Sequence, residues 1–234
     1  MTRHIGIVAC SAEGAALCYR TIVHEGAGRL GVADAHPEIS LHGHSLAAYV
    51  ERLEAPDGPD WAGVGELMLD SARKLVAGGA EVLICPDNTI HQALPFIRDR
   101  APAPWLHIAE VVAEEAARRG FRRIAITGTR WLTESDVYPI ALEARGLEWR
   151  RPEEADRAEM GRVIMEELVR GAFSPGAMAF FQQVIGELAS EGCDAVVLGC
   201  TEIPLIIDDG NSPLPTLDST RLLARAALEW AADP

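Results

Sequence analysis

The chain has 234 residues, of which 48% are hydrophobic and 24% charged, and a formal net charge of −14. That length suits one large α/β domain or two lobes of about 100 residues each. The acidic balance argues against a nucleic-acid partner, which needs a basic surface, but leaves a small anionic substrate open, because a pocket can be locally positive within an acidic protein.

Strand-like and helical runs alternate along the whole chain. His4–Ala9 reads as a buried strand and Ala12–Glu25 as the helix that follows. Glu38–His44 alternates as a second strand. Val64, Leu67, Met68, Ala72, Leu75 and Val76 then recur at helical spacing, and the Gly78-Gly79 pair ends that helix. A third strand is expected over Glu81–Cys85 and a helix over Thr89–Arg98; Ala101-Pro102-Ala103-Pro104 leads to a short fourth strand at Trp105–Ile108 and a helix to Arg119. The pattern restarts at Arg123–Thr127, where Gly128-Thr129-Arg130 turns into a helix ending near Arg145-Gly146. Acidic amphipathic helices over Glu153–Arg170 and Pro175–Glu191, a strand at Asp194–Leu198, a last strand at Pro215–Asp218 and a helix over Ser219–Ala232 complete the chain. This alternation predicts an α/β fold of two pseudo-symmetric lobes, each a mainly parallel sheet flanked by helices. The expected bounds are 1–105 and 106–215, with 216–234 forming a closing helix on the N-terminal lobe.

Two segments about half the chain apart carry the candidate chemistry: Pro86-Asp87-Asn88-Thr89-Ile90-His91 and Gly199-Cys200-Thr201-Glu202-Ile203-Pro204. Each follows an apolar strand and places a small polar side chain where strand gives way to turn. In parallel α/β folds ligands bind there, because free backbone N–H groups point into the crevice.

These segments resemble the aspartate/glutamate racemase family, and the likeness runs from end to end. It is carried by IGIVACSAEGAALCYR at the start, by the DW–G–A–KL–GGAEVLICPDNTIHQA block, by WLHIAE, RIAITGTRWLT and EELVRGAF, and most specifically by VVLGCTEIPLII. The resemblance implies two lobes with the active site in the cleft between them, no cofactor and a homodimer. It also implies a pair of cysteines on opposite faces of the substrate α-carbon, one removing a proton while the other delivers one. Cys200 matches the second of these. At the first, the family's cysteine is replaced by Asp87.

For Cys200, the alternative to catalysis is a small buried hydrophobe. A thiol must fall from its ordinary pKa of about 8.5 to work near neutrality, and a strand-to-helix turn with exposed N–H groups lowers it. Asp87 is open between two roles. Its ordinary pKa of about 3.9 makes it a weak base unless desolvation or neighbouring negative charge raises it, while aspartate just before a helix is also a strong N-cap. Cys85 lies two residues earlier and reads as core, as do Cys10, Cys18 and Cys193.

Asn88, Thr89 and Thr201 form the expected carboxylate cradle. Ser11 and Thr129, in the turns after the first strand of each lobe, are weaker candidates of the same kind. Glu202 either orients its neighbours or is a structural carboxylate. His44 is a candidate substrate contact, and Arg170 is either a partner for a side-chain carboxylate or an exposed helix-end cation. The His42–His44 pair, with His36, is not a convincing metal set, and no metal is expected. His91 and His107 flank site segments, with buried, satisfied imidazoles as the ordinary alternative. Gly26-Ala27-Gly28-Arg29-Leu30-Gly31 fits a dinucleotide fingerprint formally but follows a helix, not a strand, and is set aside.

The resulting reading is a cofactor-independent racemase of a small acidic amino acid, with Asp87 and Cys200 exchanging protons at the α-carbon. Two alternatives remain at this stage. One is a lyase or isomerase of the same fold using Cys200 alone, similar to arylmalonate decarboxylases or maleate isomerases; the other is a non-catalytic binder of small acids. The five cysteines are odd in number and form no close pair, which favours reduced thiols. No secretory leader pattern opens the chain and no apolar run reaches the roughly 20 residues of a membrane span, so a cytoplasmic protein without membrane contact is expected.

Overall fold

A computed structural model describes residues 2–233, so positions 1 and 234 of the expected lobe bounds lie outside the described residues. The chain divides into two compact units: the first runs up to Ile108 and resumes at Thr220, and the second is Ala109–Ser219.

The first unit contains β1 (Ile5–Ala9), α1 (Ala12–Leu30), β2 (Ile39–Gly43), α2 (Leu46–Leu53), α3 (Trp61–Ala77), β3 (Val82–Ile84), α4 (Leu94–Ile97) and β4 (Trp105–Leu106). Its four parallel strands lie in the order β2-β1-β3-β4. Every residue of β1 and β3 is buried, as continuous apolar strands covered on both faces should be. The Ser11 hydroxyl accepts from Gly14 N–H to start α1, and Gly31 in the left-handed region (φ 68°) stops it, its N–H bonding Ala27 O. Gly26 and Gly28 therefore sit inside a helix, and α1 runs past the expected stop at Glu25. A Cβ on Gly26 would meet the Ala35 carbonyl at 2.6 Å, so this glycine serves close packing of the following loop.

The second unit follows with α5 (Ile108–Arg118), β5 (Arg123–Gly128), α6 (Arg130–Thr133), α7 (Val137–Glu143), β6 (Glu148–Arg150), α8 (Glu154–Glu166), α9 (Pro175–Ser190), β7 (Ala195–Gly199) and β8 (Thr216–Asp218). Its strands, again all parallel, lie in the order β6-β5-β7-β8. This is the topology of the first sheet repeated: the second strand on one side of the first, the third and fourth on the other. A core of Met160, Val163, Ile164, Phe181, Val184, Ile185 and Leu188 from α8 and α9 packs with Val196 and Leu198 of β7.

The last helix, α10 (Ser219–Ala232), returns the chain to the first unit. Arg3 stacks 3.6 Å from the Trp230 ring centroid and bonds the Trp230 carbonyl, and Arg225 pairs with Glu25 at 2.8 Å. The segment from residue 216 is thus divided, because β8 pairs with β7 in the second unit.

Two of the expected helices are broken. The helix expected over Thr89–Arg98 is a 3-10 turn (Thr89–Ala93), the short α4 and a second 3-10 turn (Arg98–Arg100); Pro95, in the first turn of α4, has no N–H to carry one helix through. The helix expected from Arg130 to Arg145 is likewise split into α6 and α7. Two elements are too short to show in the periodicity: β6 is a three-residue edge strand with mostly exposed polar side chains, and α2 is only eight residues long.

Candidate active site

In each sheet the strand order reverses direction beside its first strand, between β1 and β3 and between β5 and β7. Carboxyl ends of parallel strands at such a point are where open α/β sheets bind ligands. Ser11 follows β1 and Asp87, Asn88 and Thr89 follow β3 in the first unit; Thr129 follows β5 and Cys200, Thr201 and Glu202 follow β7 in the second. His44 follows β2, one strand away. Arg170 is at no strand end: it closes the 3-10 turn Leu168–Arg170 after α8 and is exposed.

In the first unit the ladder of β3 ends at Ile84, and the chain then passes through buried Cys85 and Pro86 to half-buried Asp87. The Asp87 carboxylate Oδ1 accepts from Ile90 N–H at 3.2 Å, and its carbonyl oxygen lies 2.7 Å from His91 Nδ1. Asn88 and Thr89 are buried beside it. Burial pushes the Cys85 thiol well above its ordinary range; the charge of Asp87 adds to this, and a hydrogen bond from the Asp87 backbone partly opposes it. A thiol held neutral in this way is core, as its position in the strand suggested. Cys193 is pushed up to about 11, mainly by burial, and Cys10 and Cys18 are buried.

The helix that periodicity did not mark, α2, brings Tyr49 fully buried to this region. Burial raises its phenol far above the ordinary range, with further contributions from Cys85, Cys10 and Asp87. No motif flags this residue; only the placement of α2 does. His44 Nε2 contacts Asp70 Oδ2 at 2.8 Å, and Lys74 pairs with the same oxygen at 2.6 Å. The His42 imidazole contacts Ser71 at 2.9 Å and meets the His44 ring edge-on at 5.3 Å. Among the described residues no three His, Cys, Asp or Glu side chains are grouped to hold a metal ion.

In the second unit β7 delivers Cys200 directly. A Cβ on Gly199 would stand 2.4 Å from the Thr127 carbonyl oxygen and 2.6 Å from Leu132, so only glycine lets the ends of β5 and β7 approach this closely. The sulfur of half-buried Cys200 lies 3.0 Å from Glu202 Oε2, and the Thr201 hydroxyl donates to the same oxygen at 2.6 Å. Glu202 is buried, 3% exposed, so this carboxylate is spent on its two neighbours. Thr129 is buried and caps α6, its hydroxyl accepting from Leu132 N–H at 3.2 Å.

The expected helix dipole behind Cys200 is not there. The turn that follows is three residues of 3-10 helix, Ile203–Leu205, with Pro204 near its start. A macrodipole requires a run of aligned peptides, which so short a turn does not supply. The group in contact with the thiol is a carboxylate instead.

A family model described as Asp/Glu/Hydantoin racemase matches residues 7–227. The fold superposes with a TM-score of 0.86 on the crystal structure of a candidate Asp/Glu racemase from Yersinia pestis, at 30% identity over 98% of this chain and 99% of that one. It superposes with a TM-score of 0.81 on an aspartate racemase homologue from Pyrococcus horikoshii, at 28% identity over the full length of both. The broad specificity amino-acid racemase RacX of Bacillus subtilis is 25% identical over 164 residues, 69% of each chain.

Proposed function

The chain belongs to the Asp/Glu/hydantoin racemase family, and from that premise we propose that it is a cofactor-independent isomerase that racemises a small acidic amino acid of the aspartate or glutamate type. Cys200 and Asp87 are the two proton-transfer groups. As thiolate, Cys200 takes the α-proton; the electron pair of the broken C–H bond moves into the α-carboxylate as an enediolate, and protonated Asp87 returns a proton to the opposite face. In the other direction the roles exchange. Glu202 Oε2, against which the thiol rests, orients the Cys200 sulfur. Asn88, Thr89 and Thr201, with the nearby backbone N–H groups, hold the α-carboxylate and favour its doubly charged form. Ser11 and His44, at strand ends of the first unit, and Thr129, at a strand end of the second, are further candidate contacts to substrate, and Arg170 has no part in this scheme.

The observation that carries this reading is the equivalent placement of the two groups: Asp87 and Cys200 both follow the third strand of sheets with the same topology. A second reading has its own observation, the Asp87 Oδ1 contact with Ile90 N–H. In it Asp87 only caps the turn, and Cys200 alone serves a decarboxylase or isomerase.

Incubation of each enantiomer of aspartate and glutamate with the protein in D₂O, followed by NMR, separates the two. Deuterium at Cα with appearance of the opposite enantiomer, abolished in C200S, is the expected result. Deuterium with retention of configuration supports the single-thiol reading, and no exchange with any of the four overturns the racemase assignment for these substrates.

A further inference from the structure

We propose that His91 is a positioning residue: a neutral imidazole, protonated on Nδ1 alone, that braces Asp87 in place. The proposal rests on the reading of Asp87 as a proton-transfer group. His91 is 1% exposed. Its Nδ1 lies 2.7 Å from the Asp87 carbonyl oxygen, and its Nε2 lies 3.3 Å from the backbone nitrogen of Ile108. A carbonyl oxygen only accepts and a backbone N–H only donates. Nδ1 therefore carries the proton and Nε2 is bare, the reverse of the tautomer that free histidine prefers. A second proton on Nε2 would face the Ile108 N–H and break that bond.

The surroundings act in the same direction. The His107 ring meets His91 edge-on, with centroids 4.7 Å apart. Burial and the proximity of His107 drive the imidazole well below its ordinary range, opposed only by the bond to the Asp87 carbonyl. The groups that contact the His91 ring thus include a second imidazole, a carbonyl and a backbone N–H.

Such a brace is needed because backbone pairing stops short of the reactive group. The ladder of β3 ends at Ile84 and that of β4 at Leu106. Asp87 lies three residues beyond the first and Ile108 two beyond the second. His91 ties the Asp87 overhang to Ile108, the first residue of α5, and the Ile90 N–H holds the carboxylate from the same turn. Asp87 is thereby fixed at both its carbonyl and its side chain. Misplacing a reacting group by about 1 Å costs on the order of 100-fold in rate, so the brace acts on turnover more than on substrate affinity.

The test begins with ¹⁵N NMR of the imidazole nitrogens in the unaltered protein. The expected result is a protonated Nδ1 and a bare Nε2 for His91, unchanged from pH 8 to pH 5.5. An Nε2-protonated ring, or titration within that range, overturns the proposal, and this readout does not depend on what Asp87 does. Variants supply the second arm. His91→Asn keeps a donor near the Nδ1 position, whereas His91→Leu keeps none. In H91L, kcat for α-proton exchange should fall by at least about tenfold with KM within twofold, and H91N should recover part of it. Unchanged kcat in folded H91L overturns the brace. If the tautomer is as stated but Asp87→Asn retains full turnover, the role of Asp87 has failed and the brace has not.

Discussion

A single carboxylate, Asp87, decides between the readings of this chain, and its two roles separate by substitution. Asparagine retains an oxygen able to accept from Ile90 N–H, and asparagine caps turns about as well as aspartate; it cannot carry the transferred proton. Asp87→Asn should therefore keep the melting temperature while lowering racemisation by about 10²–10⁴-fold, the range of a general acid–base group. Equal rates in D87N and the unaltered protein would leave Asp87 as a cap only. The identity of this residue, and of Cys200, was legible in the sequence because both stand in recognisable motif contexts. The partners were not: the tautomer of His91 depends on Ile108, seventeen residues away, and Tyr49 comes from a helix too short to register in the periodicity.

At the scale of elements, the site is built on strand ends, and their close approach is enforced by glycine. Gly199 has the Thr127 carbonyl oxygen where a Cβ would stand. Gly199→Ala forces β5 and β7 apart just before Cys200, at an overpacking cost of about 1–3 kcal/mol. A denaturation midpoint lowered to match, with a larger loss of turnover than of stability, is the expected outcome; an unchanged midpoint would show that the strands yield freely. The strands themselves were readable, since β1, β3 and β7 are continuous apolar runs buried throughout, and β5 is buried after its opening Arg123. The helices after the reactive strands were not. Apolar spacing through Thr89–Arg98 suits a helix, but Pro95 interrupts it, and the chain after Cys200 makes one 3-10 turn around Pro204. Cys200 consequently meets the Glu202 carboxylate and no helix dipole.

For the whole molecule, the buried titratable groups define a pH window for stability. His91 and His42 are held below their ordinary value of 6.5, chiefly by burial. Their unfolded forms take up protons first as pH falls, so their contribution is present above about pH 6.5 and is lost below it. Cys85, Cys193, Tyr49 and Tyr138 are held above their ordinary values of 9.0 and 10.0, again chiefly by burial. Their contribution is present below about pH 9 and is lost as the unfolded forms ionise above it. The melting temperature should form a plateau between these limits and fall on both sides; a midpoint that climbs steadily from pH 7 to pH 10 would contradict the assignment. Among the described residues no helix is long and apolar enough to cross a membrane. By itself the sequence determined the alternation of strand and helix, the repeat of one pattern in two halves, the family, and the two segments that carry the chemistry, because local periodicity and motif spacing are properties of neighbouring residues. Only the tertiary structure decided the strand order, the Glu202 contact with the thiol and the bridging imidazole of His91, because each depends on backbone groups or strands brought together from distant or differently folded stretches, which no local pattern encodes.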